Sequence, residues 1–122
     1  MRAAAVLTLL LALALPPAHA QTPPPYENDL MRLADILGAL HYLRTLCGDE
    51  DAPVWRERMQ ALIEGESCEA DRCERLAGAF NEGYRGFERN YRICTPAARV
   101  AAERYLTEGA RLADGITSRH AN

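Results

Sequence analysis

The stretch Cys73–Cys94, CERLAGAFNEGYRGFERNYRIC, decides the fold. Within it Cys73, Ala77, Phe80, Tyr84, Phe87, Tyr91 and Cys94 succeed one another at intervals of four, three, four, three, four and three. That alternation is a heptad stripe. It drifts little around a helix and favours neighbours that cross at shallow angles, as in antiparallel bundles. The spacing predicts a helix from about Ala70 to Cys94.

Working outward, the same periodicity recurs on both sides. Upstream, from about Glu27 to Cys47, Leu30, Leu33, Ile36, Leu37, Leu40, Leu43 and Leu46 are spaced by threes and fours, and Gly48 follows as a C-terminal cap. The acidic turn Asp49-Glu50-Asp51 leads to Pro53, which suits a first helical turn. A shorter helix then carries Trp55, Met59, Leu62 and Ile63 and stops at Gly65. Downstream, Thr95 as N-cap and Pro96 at the first helical position open a fourth helix to about Ser118, with Ala98, Ala101, Tyr105, Leu112 and Ile116 facing inward. No strand-like alternation of useful length occurs. The expected fold is all-α, a four-helix up-down bundle in a single domain over residues 27–119.

The first twenty residues are read apart from that domain. Met1 and Arg2 give a positive start, Ala3 to Leu15 is apolar, and Pro16-Pro17 precede Ala18-His19-Ala20, an A-x-A cleavage pattern. These are the marks of a signal peptide cleaved after Ala20. An apolar run of about 13 residues is too short for a hydrocarbon core that needs roughly 20. Residues 21–26, with Pro23, Pro24 and Pro25, read as an extended leader. The expected location is the periplasm, with no membrane span in the mature chain.

After cleavage the chain keeps all 17 acidic residues and 13 of its 14 basic ones, all arginine, a formal charge of about −4. Nothing in that balance suggests nucleic acid. A domain of about a hundred residues buries only about two thirds of its unfolded surface, so covalent staples contribute noticeably. Four cysteines allow three pairings, and spacing alone does not choose among them. Topology does. In an up-down bundle the first and third helices are parallel, so Cys47 and Cys94 end at one pole. Cys68 and Cys73 lie at the other, roughly 30 Å away for a helix of about 20 residues, beyond the ~7 Å between Cα atoms that a bridge tolerates. Cys47 is therefore expected to pair with Cys94. Cys68 and Cys73 pair if Glu69–Arg72 stays a turn, and cannot if the third helix begins as early as Ser67.

The run Leu30–Arg44 (LMRLADILGALHYLR), Leu46-Cys47-Gly48, the block Phe80–Phe87 (FNEGYRGF) and Cys94-Thr95-Pro96 together resemble an uncharacterised family of small exported alphaproteobacterial proteins, the DUF2385 family. The resemblance covers nearly all of the mature chain. It implies a pair of well-separated cysteines corresponding to Cys47 and Cys94, and it carries no function. Cys68 and Cys73 are not part of that pattern.

No catalytic, metal or cofactor site is expected. Only His41 and His120 remain after cleavage, and neither has a ligand or nucleophile at a useful spacing, so triad chemistry has no support. His41 reads as a packed or edge histidine. Glu64, Glu66, Glu82 and Glu88 are available for glycan cleavage, but helical acids are usually solvated. The third helix is richer. Ala79, Gly83, Gly86 and Asn90 form a line of small residues, and glycine inside a helix costs up to about 1 kcal/mol relative to alanine. That line suits either tight packing by the fourth helix or a groove for an external partner. On another face Asn81, Arg85, Arg89 and Arg92, with Glu88, form an arc able to hold a carboxylate or phosphate, or a solvated surface with a Glu88 to Arg92 pair. The reading that follows is a non-enzymatic interaction or envelope-accessory module. Its candidate surface is Asn81, Gly83, Arg85, Gly86, Arg89, Asn90 and Arg92, and its partner an envelope protein or anionic cell-envelope polymer. The alternatives are a small-ligand carrier using Tyr84, Tyr91 and Arg85, and a cell-wall-acting enzyme using Glu82 or Glu88.

Overall fold

The computed structural model of the protein describes Ala14 and residues 22–120, so the cleavage site after Ala20 and nearly all of the signal segment lie outside the described residues. Four helices follow one another: α1 Glu27–Leu46, α2 Ala52–Glu66, α3 Ala70–Asn90 and α4 Pro96–His120, with no strand among the described residues. They run up, down, up, down, as the paired ends show. Glu27 meets Arg72 at one pole and Cys47 meets Cys94 at the other, which makes α1 and α3 parallel. His41 approaches Ala52 while Tyr26 reaches Glu66, and Arg32 meets Glu108 while Asp29 meets Arg119, which makes α2 and α4 antiparallel to α1.

α1 is the hub. Leu30, Ala34, Ile36, Leu37, Gly38, Ala39, Leu40 and Leu43 are all buried, and they lie around the helix rather than on one stripe. A helix that is apolar nearly all round is stable only when it is surrounded. The backbones of α2, α3 and α4 each pack on it, whereas α4 approaches neither α2 nor α3 by its backbone. Leu76, Trp55, Met59, Ala98 and Ala102 complete the core from the other three helices. The helix ends in a Schellman turn: Gly48 has φ +67°, its N–H donates to the Thr45 carbonyl, and the Asp49 N–H donates to the Arg44 carbonyl.

Both disulfides are formed, Cys47–Cys94 with Cα atoms 4.9 Å apart and Cys68–Cys73 with Cα atoms 5.5 Å apart. The second depends on where α2 stops. It runs past Gly65 to Glu66, and Ser67 turns the chain through a left-handed conformation (φ 45°). α3 then starts at Ala70, capped by Glu69, whose carboxylate accepts from the Arg72 and Asp71 backbone N–H groups. Cys68 thus sits outside the helix and is free to face Cys73.

α3 ends four residues earlier than the stripe implies. Tyr91 is extended (φ −122°, ψ 113°), so Tyr91 and Cys94 belong to the link before α4. Three contacts explain the stop. The Asn90 side chain donates back to the Gly86 carbonyl, the Tyr42 hydroxyl donates to the Tyr91 carbonyl that would have continued the ladder, and Cys94 is held to α1. Thr95 Oγ1 accepts from the Ala98 N–H and opens α4 behind Pro96, as the sequence predicts.

Candidate functional site

The seven surface candidates on and after α3 do not form one surface. Gly83 is buried under α1, not α4: a Cβ there would lie 2.6 Å from Asp35 Oδ1 and closer still to the Asp35 carbonyl oxygen. Gly38 is its counterpart on α1, where a Cβ would lie 2.7 Å from the Phe80 carbonyl carbon. These two glycines let the α1 and α3 backbones touch, so Gly83 is a packing residue and is removed from the binding surface. Gly86 has open space above it, and Asn90 is turned back on its carbonyl. Asn81, Arg85 and Arg89 are exposed on α3, with Asn81 at the edge that faces α2. Arg92 is also exposed, but it sits beyond the helix end, which removes the register for an i, i+4 pair with Glu88.

The aromatic residues are occupied. Tyr84 meets Tyr42 edge-on at 5.2 Å and lies 5.7 Å from His41, while Tyr91 stacks on Phe87 at 5.7 Å and Phe87 meets Tyr105 edge-on at 5.1 Å. Tyr84 and Tyr91 thus belong to different clusters and do not converge on a ligand. Of the four acids, Glu66 is committed to Arg72 and to the Tyr26 hydroxyl, while Glu64, Glu82 and Glu88 are exposed. Among the described residues no group of three His, Cys, Asp or Glu side chains is placed to hold a metal ion.

Charge is organised at the helix junctions. Arg72 joins three helices, with its guanidinium 2.7 Å from Glu27 on α1 and 2.8 Å from Glu66 on α2, and these bonds raise its already high pKa. Arg32 makes a two-point bond to Glu108 on α4 (2.9 and 2.8 Å) and lies 5.2 Å from the centre of the Tyr105 ring. It holds the Glu108 carboxyl below the usual range. Asp35, also bonded to Arg32 at 2.7 Å, is pushed up by burial, the larger influence there. Arg44, 2.9 Å and 3.0 Å from the two Asp51 oxygens, holds that carboxyl down and ties α1 to the start of α2.

What the helices leave open is more informative than what they present. Because α2 and α4 do not meet, a groove of about 550 Å³ runs between them over α1. Its floor is Leu30, Leu33, Ile36, Leu37 and Leu40; α2 adds Trp55, Arg58, Ala61 and Leu62; α4 adds Leu106, Gly109, Ala110, Ala113, Ile116 and Thr117. The surface is overwhelmingly apolar. Its one charged member, Arg58, lies over the Trp55 ring at 4.7 Å and, among the described residues, has no carboxylate within ion-pair distance. A second cleft of about 390 Å³ lies on the other side of α2, between it and α3.

The family model described as "Protein of unknown function (DUF2385)" matches residues 25–120. The chain belongs to the DUF2385 family. No curated protein and no solved structure matches it.

The groove of this DUF2385 domain is weakly marked in the sequence, where the stripe of α3 is the sharpest signal. A signal for it existed. Leu106, Gly109, Ala113 and Ile116 follow at three, four and three on α4, continuing the line of Ala98 and Ala102 beside a second line of Ala101, Tyr105 and Leu112. Two such lines on one helix exceed what a single neighbour covers.

Proposed function

We propose that this protein is a non-enzymatic binding module of the periplasm, and that its α2–α4 groove takes a single-chain amphiphile with an anionic head. The observation that carries the reading is the pairing of a long apolar floor with one uncompensated cation, Arg58, stacked on Trp55. An apolar cleft of several hundred Å³ with few polar groups has the build of a small-molecule site, and an unpaired guanidinium favours a carboxylate or phosphate. Support for the compartment comes from the export signal read in residues 1–20, from two disulfides that leave no free cysteine, and from the finding that no helix among the described residues is long and apolar enough to cross a membrane. The working surface of the module is then the α2–α4 side, not α3.

The test uses laurate below its micellar concentration, titrated into the disulfide-bonded protein and followed by calorimetry and native mass spectrometry. Saturable one-to-one binding is expected. Arg58→Gln should weaken it roughly tenfold, about 1.4 kcal/mol. Ala110→Trp, which places an indole in the groove from an exposed position, should abolish it while the helical circular dichroism is unchanged. Absence of binding, or equal binding by Ala110→Trp, refutes the proposal. Fractionation of cells producing the tagged full-length chain tests the compartment.

One observation favours a second reading, attachment to an anionic envelope polymer. Arg85 and Arg89 stand exposed on α3 and, among the described residues, neither is within ion-pair distance of a carboxylate. Salt-sensitive retention on immobilised polyanion, lost in Arg85→Gln/Arg89→Gln, is its expected signature.

A further inference from the structure

We infer that the cleft between α2 and α3 is a second binding site, one that takes a small carboxylate with a flat apolar body. The inference is independent of the groove reading, because the two openings lie on opposite sides of α2 and the residues that line them do not overlap.

The argument starts from His41. Its Nδ1 lies 3.2 Å from the Ala52 carbonyl oxygen. A carbonyl only accepts, so Nδ1 carries the proton of that bond. The ring is further fixed by Phe80 and Tyr84, with centroids at 6.0 and 5.7 Å. That leaves Nε2 as the ring nitrogen without a protein partner, on a half-buried residue that lines the cleft.

The other polar groups of the cleft are also unspent. Arg56, Asn81 and Tyr84 come from two helices, and among the described residues none has a side-chain hydrogen bond or ion pair. Gln60 makes only a long bond of 3.4 Å to Glu64, which leaves its amide oxygen free. Arg56 is the one arginine among the lining residues, and no carboxylate is among them. Beneath these groups Met59, Ile63, Ala77 and Phe80 form an apolar floor. A cationic fork and the Asn81 amide donor over a flat hydrocarbon floor match a monocarboxylate whose body is planar: Arg56 and Asn81 meet the carboxylate, and Phe80 and Met59 meet the body. The cleft is smaller and more polar-walled than the groove.

The probe is 3-phenylpropionate, with 3-phenylpropanamide as its uncharged counterpart, titrated into the uniformly ¹⁵N-labelled, disulfide-bonded protein. The expected result is saturable movement of the Asn81 and Gln60 side-chain amides and of the His41 ring nitrogens. The amide should bind at least tenfold more weakly. Arg56→Gln should also lose at least tenfold, while Arg104→Gln, exposed on α4 and outside both openings, should bind as the parent does. Movement confined to Leu106, Ala110 and Ala113 would place the ligand in the groove and overturn the inference. So would equal affinity for acid and amide, unchanged affinity in Arg56→Gln, or no saturable movement at 20 mM probe, on the order of the weakest small-ligand affinities. Arg56 is exposed, so its replacement leaves the fold intact and keeps the comparison clean.

Discussion

Two glycines three residues apart on α3 should respond to the same substitution with opposite signs. Replacing either by alanine removes the conformational cost of glycine in a helix, a gain of up to about 1 kcal/mol. At Gly86 nothing lies within 4 Å of the new Cβ, so the gain is kept. At Gly83 the new Cβ meets the Asp35 carbonyl, a backbone group that cannot rotate away, so α1 and α3 must separate. Overpacking of a close-packed interior costs about 1–3 kcal/mol, at the upper end where backbone is the obstacle. The net effect of Gly83→Ala is then a loss of about 2 kcal/mol. For a domain of this size about 1 kcal/mol moves Tm by roughly 4–8 °C, so Gly83→Ala should melt about 8–16 °C lower and Gly86→Ala about 4–8 °C higher. Urea titrations should place the midpoints in the same order with an unchanged slope. Gly38→Ala should behave like Gly83→Ala, and the double variant should lose less than the sum, because helices parted for one Cβ already admit the other. A Gly83→Ala protein as stable as Gly86→Ala refutes the close α1–α3 approach and returns that line to the surface.

Three further outcomes follow from the same geometry. Cys47→Ser/Cys94→Ser opens a link between residues 47 positions apart and should lower stability by about 4 kcal/mol, against about 2 kcal/mol for Cys68→Ser/Cys73→Ser, in urea titrations of the two proteins; equal losses would sink the loop-length argument. Arg72→Ala leaves Glu27 and Glu66 facing each other at a junction where all three side chains are largely buried, and should cost about 2 kcal/mol, whereas Arg119→Ala, at an exposed ion pair, should cost under about 0.5 kcal/mol. The carboxyls predict a two-sided pH profile. Asp35, raised by burial, is stabilised on protonation, so stability should rise slightly as pH falls from neutrality toward the ordinary aspartate range near ~3.9. Glu108 and Asp51, both depressed by arginine partners, contribute stability above their ordinary values of about 4 that is lost as pH falls through and below that range. Each is partly exposed and should contribute at most about 1 kcal/mol. Asp35→Asn should remove the rise and Glu108→Gln should shrink the fall; a monotonic profile in the parent protein would contradict the burial of Asp35.

The fold was legible because its signals are local. Gly48, Pro53 and Pro96 punctuate the chain through backbone conformation and Thr95 through a cap bond within its own first turn, and the Cys47–Cys94 pairing needs only helix length and up-down order. What escaped depends on tertiary contact. The α3 stripe continues to Cys94 in sequence, yet the helix stops at Asn90 because the Tyr42 hydroxyl and the α1 disulfide claim the next carbonyl and cysteine, and both partners are more than forty positions away. Gly83 and Gly86 look alike in sequence and differ only in whether α1 lies above them. The alanine-rich α4 is the neighbour that composition suggests for the small line, whereas α1 supplies the matching glycine at Gly38. His41 reads as one histidine on an apolar helix, and only the turn into α2 reveals the carbonyl that orients it.

The groove itself is a consequence of how α1 is used. A helix about 10 Å across has room for about six equal neighbours; α1 is apolar nearly all round but has three, and the vacancy falls between α2 and α4. If that vacancy is kept for a ligand, filling it with the protein's own side chain should improve stability while removing function, the trade expected where a site is held open against folding. Ala110→Trp makes the comparison. An indole burying about half of its 150–250 Å² against Leu33, Ile36 and Leu62 gains about 2 kcal/mol at 25 cal/mol per Å², less about 0.5–1 kcal/mol for ordering the side chain. The variant should therefore melt several degrees higher and no longer take laurate. A variant that melts lower would mean that the walls are already closed by packing, and one that melts higher yet still binds would place the ligand elsewhere.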